Sequence, residues 1–131
     1  MIETENEIKI NGKEYVLKSA IKTTTLAKPM KGKEYCIIRT YSAGVFAGWI
    51  DTNAFNEKDN QNSTIYDSRR IHWWEGSASI SQMALEGFKK LSSCRIAMVV
   101  PKEYLKRVIE VIPCTNIAKE QIEGANIWKN N

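Results

Sequence analysis

Apolar and polar positions alternate with a period of two through much of the chain. From Thr64 to Glu75 the odd positions are Ile65, Asp67, Arg69, Ile71, Trp73 and Glu75, and the even ones are Tyr66, Ser68, Arg70, His72 and Trp74. A strand sends successive side chains to opposite faces, so Ile71 and Trp73 share one face while Arg70, His72 and Trp74 share the other. The first face reads as core. Upstream, YCIIRTY (Tyr35 to Tyr41) and VFAGWID (Val45 to Asp51) are rich in β-branched and aromatic residues. Ser42-Ala43-Gly44 between them suits a hairpin loop with glycine at the left-handed position. Gly48, inside the second of these strands, marks a bulge or a close backbone approach. Nearer the N-terminus, EIKI and KEYVLKSA flank Asn11-Gly12, a pair that supplies the positive φ of a type I′ hairpin turn. The aperiodic stretch from Ile21 to Lys33 is a connector that would let this hairpin lie on a neighbouring subunit.

After Gly76 the period changes to that of a helix. Ser79 and Gln82 form a capping box, and Ile80, Met83, Ala84, Gly87 and Phe88 recur on one face. Gly87 costs a helix about 1 kcal/mol relative to alanine, so a closely packed neighbour is expected there. CRIAMVV (Cys94 to Val100) and VIEVI (Val108 to Ile112) are strands stopped by Pro101 and Pro113. Thr115 caps a short helix from Asn116 to Glu123, ended by Gly124, and Trp128 is a large apolar anchor for the tail. The Asn-rich segment TNAFNEKDNQNS separates the second strand from the third as an exposed loop. The pattern predicts a single α+β domain over residues 1–131, an antiparallel sheet or half-barrel of six to eight strands packed by one amphipathic helix (Ser79 to about Lys90), with a short C-terminal helix. Residues 1–30 form an N-terminal hairpin or arm.

Composition narrows the chemistry. Nineteen basic residues against fifteen acidic ones give a net charge of +4 with no polybasic run, which permits nucleic-acid binding without favouring it. No two of Cys36, Cys94 and Cys114 have the close spacing of a metal knuckle or redox pair. Cys36 and Cys94 sit in apolar runs, where a reduced, buried thiol is the usual occupant, and that points to a reducing compartment. The start, MIETENEIKI, is acidic and has no apolar signal-peptide core. No apolar run approaches the ~18 residues of a membrane span. A single histidine excludes a multi-histidine metal centre, and no phosphate-loop, dinucleotide, zinc-protease or serine-hydrolase motif is present. The expectation is a protein that is not an enzyme and uses no metal or cofactor.

Binding is better supported. Arg70, His72 and Trp74 place a guanidinium, an imidazole and an indole in register on one strand face, with Arg39 and Tyr41 sharing a face on a neighbouring strand. Arginine offers bidentate hydrogen bonds to phosphate, and tryptophan or tyrosine offers a stacking surface for a base. The competing reading gives these arginines salt bridges to Asp51, Asp67 or Glu75 and puts the aromatics in a core or subunit interface. Four tryptophans, five tyrosines and the arm make homo-oligomerisation an expectation.

YCIIRTYSAGVFAG, RRIHWWEGSASISQMALEG and VIEVIPCTNIAKEQIEGANIWK together resemble a family of small, functionally uncharacterised proteins encoded by bacteriophages and prophages. The resemblance covers roughly residues 33–129. Residues 1–30 look like an addition to it, and the Asn-rich loop is longer than its pattern. The resemblance implies a phage-encoded accessory protein in the cytoplasm of the infected bacterium, or else a virion component, and it carries over no catalytic residues. With the Arg/aromatic strand it implies binding and sequestration of a small phosphorylated, nucleotide-type signal, as in counter-defence. The alternatives are a phage structural or assembly protein acting by self-association and a nucleic-acid-binding accessory protein.

Overall fold

The hairpin read at Ser42-Ala43-Gly44 joins β1 (Glu34–Thr40) to β2 (Val45–Ile50), and the long alternating stretch is β3 (Ser63–Trp73). The computed structural model describes residues 25–52 and 62–130, so the N-terminal hairpin and most of the Asn-rich loop lie outside the described residues. The remaining elements are α1 (Ile80–Glu86), a 3-10 turn (Leu91–Ser93), β4 (Arg95–Ile96), β5 (Val100–Leu105), β6 (Val108–Pro113) and α2 (Asn116–Gly124). The strands make one open, antiparallel, six-stranded sheet in the order β4-β3-β2-β1-β6, with β5 also paired to β3. The fold is α+β.

β4 and β5 share one edge of β3: Ile71 pairs with Ile96 near one end, and Ser63 to Ser68 pair with Leu105 to Val100 along the rest. Lys106 and Arg107 then carry the chain from β5 on the β3 edge to β6 on the β1 edge, with Arg107 at φ +57. Joining the two edges through so short a link requires a curled sheet. Its inner face is packed with Cys36, Ile38, Phe46, Ile50, Ile65, Leu105 and Val108. The outer face is the larger core, where Ile37, Ala47, Trp49 and Ile71 meet Met83, Ala84 and Phe88 from the α1 region and Ala118 and Ile122 from α2. A strand buried on both faces reads as a near-continuous apolar run, as β2 does.

The two glycines singled out by pattern both mark close approaches. Across the sheet from Gly48, the register shifts between Ala47 and Trp49, and Asp67 is at φ +52. A Cβ on Gly48 would stand 3.2 Å from the Ser68 Cα and closer still to Ile65, so only glycine fits this bulge. The bulge also reverses the alternation of β3: Ile65 faces the inner cluster and Ile71 the outer one, although both are odd-numbered. At Gly87 the backbone turns to φ +76 and α1 ends there, short of the expected Lys90. The Gln121 side chain of α2 fills the space a Cβ would need, and its Oε1 accepts from the Phe88 N–H at 2.6 Å.

Other sequence readings change: the strand expected over Cys94 to Val100 is only Arg95–Ile96, and β5 runs through Pro101 instead of stopping there. Trp73 is 53% exposed rather than core, its Nε1–H donating to Glu75 at 3.3 Å. The pairing of β3 with β4 is irregular between Ile71 and Trp73, so the alternating face does not extend to Trp73. Arg69 takes the buried place instead, at 2% exposure. Among the cysteines, all free, Cys36 and Cys114 are the buried ones, whereas Cys94 is half-buried at the end of the 3-10 turn. Among the described residues no helix is long and apolar enough to cross a membrane.

Candidate functional site

Arg70 lies opposite Phe46 on β2, and Phe46 belongs to the inner cluster. Its guanidinium carbon stands 4.7 Å from the centre of the Phe46 ring. The Arg70 Nε is buried and has no hydrogen-bond partner among the described residues. Arginine carries five N–H donors and no acceptor, and a buried donor left unmet costs about 1–3 kcal/mol. The stacking on Phe46 returns only part of that, on the order of 0.5–2 kcal/mol. A guanidinium held in this way is set up to receive an acceptor.

His72 follows two residues later, about 7 Å along the strand. It is exposed, and its ring centre is 5.0 Å from that of Trp128 at an interplanar angle of 53°. The Trp128 N–H donates to the Ile96 carbonyl at 3.0 Å, which lays the tail against β4. The Arg95 guanidinium carbon is 5.7 Å from the Trp128 ring centre. Two guanidinium groups and an imidazole therefore border two aromatic rings at this end of β3. Apart from the ring contacts, Arg70 and Arg95 form no ion pair among the described residues.

The other expected site residues are elsewhere. Trp74 lies past the end of β3 and packs against the outer cluster with Ile80 and Leu91. β2 intervenes between β1 and β3, so Arg39 and Tyr41 are not on the neighbouring strand. Arg39 Nε donates to Glu110 Oε1 at 3.0 Å, the salt-bridge role with a different carboxylate. Tyr41 is exposed beyond β1, with the Arg107 guanidinium carbon 4.0 Å from its ring centre. The site thus keeps Arg70 and His72 and gains Phe46, Arg95 and Trp128. Trp128 was legible as a docked anchor. Phe46 and Arg95 become visible only with strand pairing.

Two of the three thiols are buried. Burial pushes the Cys114 thiol up to about 12 and raises Cys36 further, so both stay protonated at neutral pH. Among the described residues no group of three or more His, Cys, Asp or Glu side chains is placed to hold a metal ion.

An open α+β sheet with two buried faces and a cation-rimmed aromatic edge is the class of protein these elements define. The chain belongs to the family described as a domain of unknown function, DUF6948, whose model matches residues 33–122. That span runs from the approach to β1 into α2 and includes Phe46, Arg70, His72 and Arg95, whereas Trp128 lies beyond it. No curated protein and no solved structure matches the chain.

Proposed function

We propose that this chain is a non-catalytic binding protein that captures a small phosphorylated, nucleotide-type ligand at the Arg70 end of β3. The observation that carries the reading is the Arg70 guanidinium, stacked on Phe46 with its Nε buried and unmet. A phosphate oxygen would satisfy that donor, and charge-assisted bonds of this kind are the stronger ones. The exposed His72 and Trp128 rings beside it supply the surface on which a base stacks. The sequence resemblance to phage-encoded proteins supports placing this capture in the infected bacterium, as sequestration of a host signal. Calorimetric titration with a panel of cyclic and linear nucleotides tests it. Wild type should release or take up heat with at least one of them, and Arg70→Ala should bind it with an affinity lower by about 1.5–3 kcal/mol. Trp128→Ala should lose about 1–3 kcal/mol of stacking. The absence of any heat from wild type would overturn the proposal.

A second reading, self-association without a ligand, is favoured by one observation. Trp73, Met98, Val99 and Ile127 are all exposed around β4 and the tail laid against it. Apolar side chains gathered in this way suit a subunit contact. Native mass measurement decides it: an oligomer that Trp73→Ser with Met98→Ser reduces to monomer supports assembly, and a monomeric wild type removes it.

A further inference from the structure

The outer side of β5 carries a second set of cations and rings, away from Arg70. Tyr66 on β3 pairs in register with Lys102 on β5, and Tyr104 follows two residues later on the same side. The Lys33 Nζ is 4.9 Å from the Tyr66 ring centre. The Lys102 Nζ is 5.9 Å from the Tyr66 ring centre and 5.5 Å from that of Tyr104. Lys33, Tyr66, Tyr104 and Lys106 line a cavity of about 640 Å³ together with Ser63, whose Oγ is buried without a hydrogen-bond partner among the described residues. Asp51 also lines it and already has an interaction of its own. Among the described residues, none of Lys33, Lys102 and Lys106 forms an ion pair.

We infer that this strip binds single-stranded nucleic acid, with phosphates held by Lys33, Lys102 and Lys106 and a base stacked on Tyr104. The two tyrosines have different tasks. Tyr66 is half-buried under two ammonium groups and fixes them over its ring, leaving their N–H donors for phosphate oxygens. Tyr104 is 71% exposed and presents an aromatic platform to solvent, with the Lys102 ammonium on the ring. The spacing selects the ligand. Lys102 on β5 and Lys106 just past its end are four residues apart, at most roughly 13 Å along the chain, a span one phosphate group does not bridge unless both side chains fold toward it. A repeating anion with flat rings between its charges can, and a single strand exposes its bases for such stacking. A net charge of +4 with no basic run concealed this cluster, because Lys33 and Tyr66 are distant in sequence from Lys102 and Lys106 and the fold brings them together.

The test is fluorescence anisotropy of a labelled oligothymidylate of about 12 nucleotides, within the range single-strand binders cover. The full chain is titrated over a series of salt concentrations. Binding should weaken with salt with a log–log slope of about −2, as expected for three neutralised phosphates on a single strand. Tyr104→Ala should weaken binding about 10-fold and leave the slope unchanged. Lys102→Ala should make the slope shallower by about 0.7. Both residues are exposed on an edge strand, and unchanged circular dichroism verifies the fold of each variant. Arg39→Ala, which removes a cation paired to Glu110 outside both the strip and the Arg70 site, should bind the oligomer like wild type, so that the losses are particular to the strip. No anisotropy change at the lowest salt, or wild-type binding by Tyr104→Ala, would overturn the inference. Thymidine monophosphate competing as well as the oligomer would also overturn it, since the strip would then hold one nucleotide and not a strand.

Discussion

Arg69 and Arg70 are neighbours on β3 and lead opposite lives. Arg69 points to the outer face, where Nη1 donates to the Ile122 carbonyl at 2.7 Å and to Ala125 at 2.9 Å. Its Nε donates to Ala97 at 2.7 Å and its Nη2 to Ile96 at 3.3 Å. Ile122 and Ala125 lie at the C-terminal end of α2, where unmet carbonyls make the negative end of the helix dipole. Burial lowers the Arg69 pKa and the neighbouring Tyr35 raises it, while a guanidinium remains charged throughout the working pH range. Arg70 points to the inner side, meets one phenyl face and leaves Nε unmet. The same side chain is a structural clamp when carbonyls surround it and an acceptor-seeking group when they do not.

The largest expected effect breaks the first half of this contrast. Arg69→Met keeps most of the volume but removes a donor from four main-chain carbonyls, of which Ile96 keeps the Trp128 N–H and Ile122 the Ala125 N–H. An unmet buried acceptor costs about 1–3 kcal/mol, and partial access of water at the α2 terminus tempers the sum. Urea unfolding should show a loss of roughly 3–5 kcal/mol, the range of a broken buried network. A loss below about 1 kcal/mol would mean that Arg69 does not hold α2 to the sheet.

What the sequence told, and what it withheld, follows the same division. Local chemistry was readable. The Ser79 hydroxyl accepts from the Gln82 N–H as the capping box required, and Thr115 accepts from Ala118. The β1–β2 hairpin, the Gly48 bulge and the close approach at Gly87 were likewise anticipated. Period-two reasoning failed where β3 is irregular: the bulge at Asp67 reverses faces, and the end of the strand frees Trp74 to join the outer core. Alternation put Arg69 and Arg70 on opposite faces and gave neither a partner. What distinguishes them is the end of a helix more than fifty residues further along the chain. Two of the five candidate-site residues were visible for the same reason: Arg70 and His72 lie on one strand, while Phe46 and Arg95 arrive through pairing and Trp128 on the docked tail.

A middle-sized effect asks whether the two faces of the sheet are equally dry. Cys36 belongs to the inner cluster and Cys114 to the outer, and burial is the main cause that raises each thiol. Below the ordinary thiol value of 9.0 both are protonated in the folded and unfolded chain, and pH has no hold on them. Above it the unfolded chain releases protons that the folded one retains, so stability is lost as pH rises toward the folded value of about 12 for Cys114. Each thiol should contribute a decline of about 1.4 kcal/mol per pH unit across that window. Urea unfolding of wild type, Cys36→Ala and Cys114→Ala from about pH 8 to pH 11 measures it, because each variant should flatten the decline by one thiol's share. A variant that leaves the slope unchanged identifies the face that water reaches.

The smallest expected effect on stability is at Arg70, and it sharpens the comparison most. Arg70→Met removes a cation–ring contact worth on the order of 0.5–2 kcal/mol. It also removes a buried donor whose lack of a partner costs about 1–3 kcal/mol, and it leaves no carbonyl stranded. The two changes oppose each other, and methionine can still lie on the Phe46 ring through its thioether. The unfolding free energy should therefore stay within about 1 kcal/mol of wild type, in either direction. Nucleotide affinity, measured on the same preparation, should fall by about the 1.5–3 kcal/mol of a hydrogen bond to a charged group. A group that contributes little to folding and much to binding belongs to a site, whereas one that costs the fold as much as Arg69 belongs to the scaffold. If Arg70→Met unfolds at the urea concentration that unfolds Arg69→Met, the two arginines are both scaffold and the case for a ligand at this end of β3 is lost.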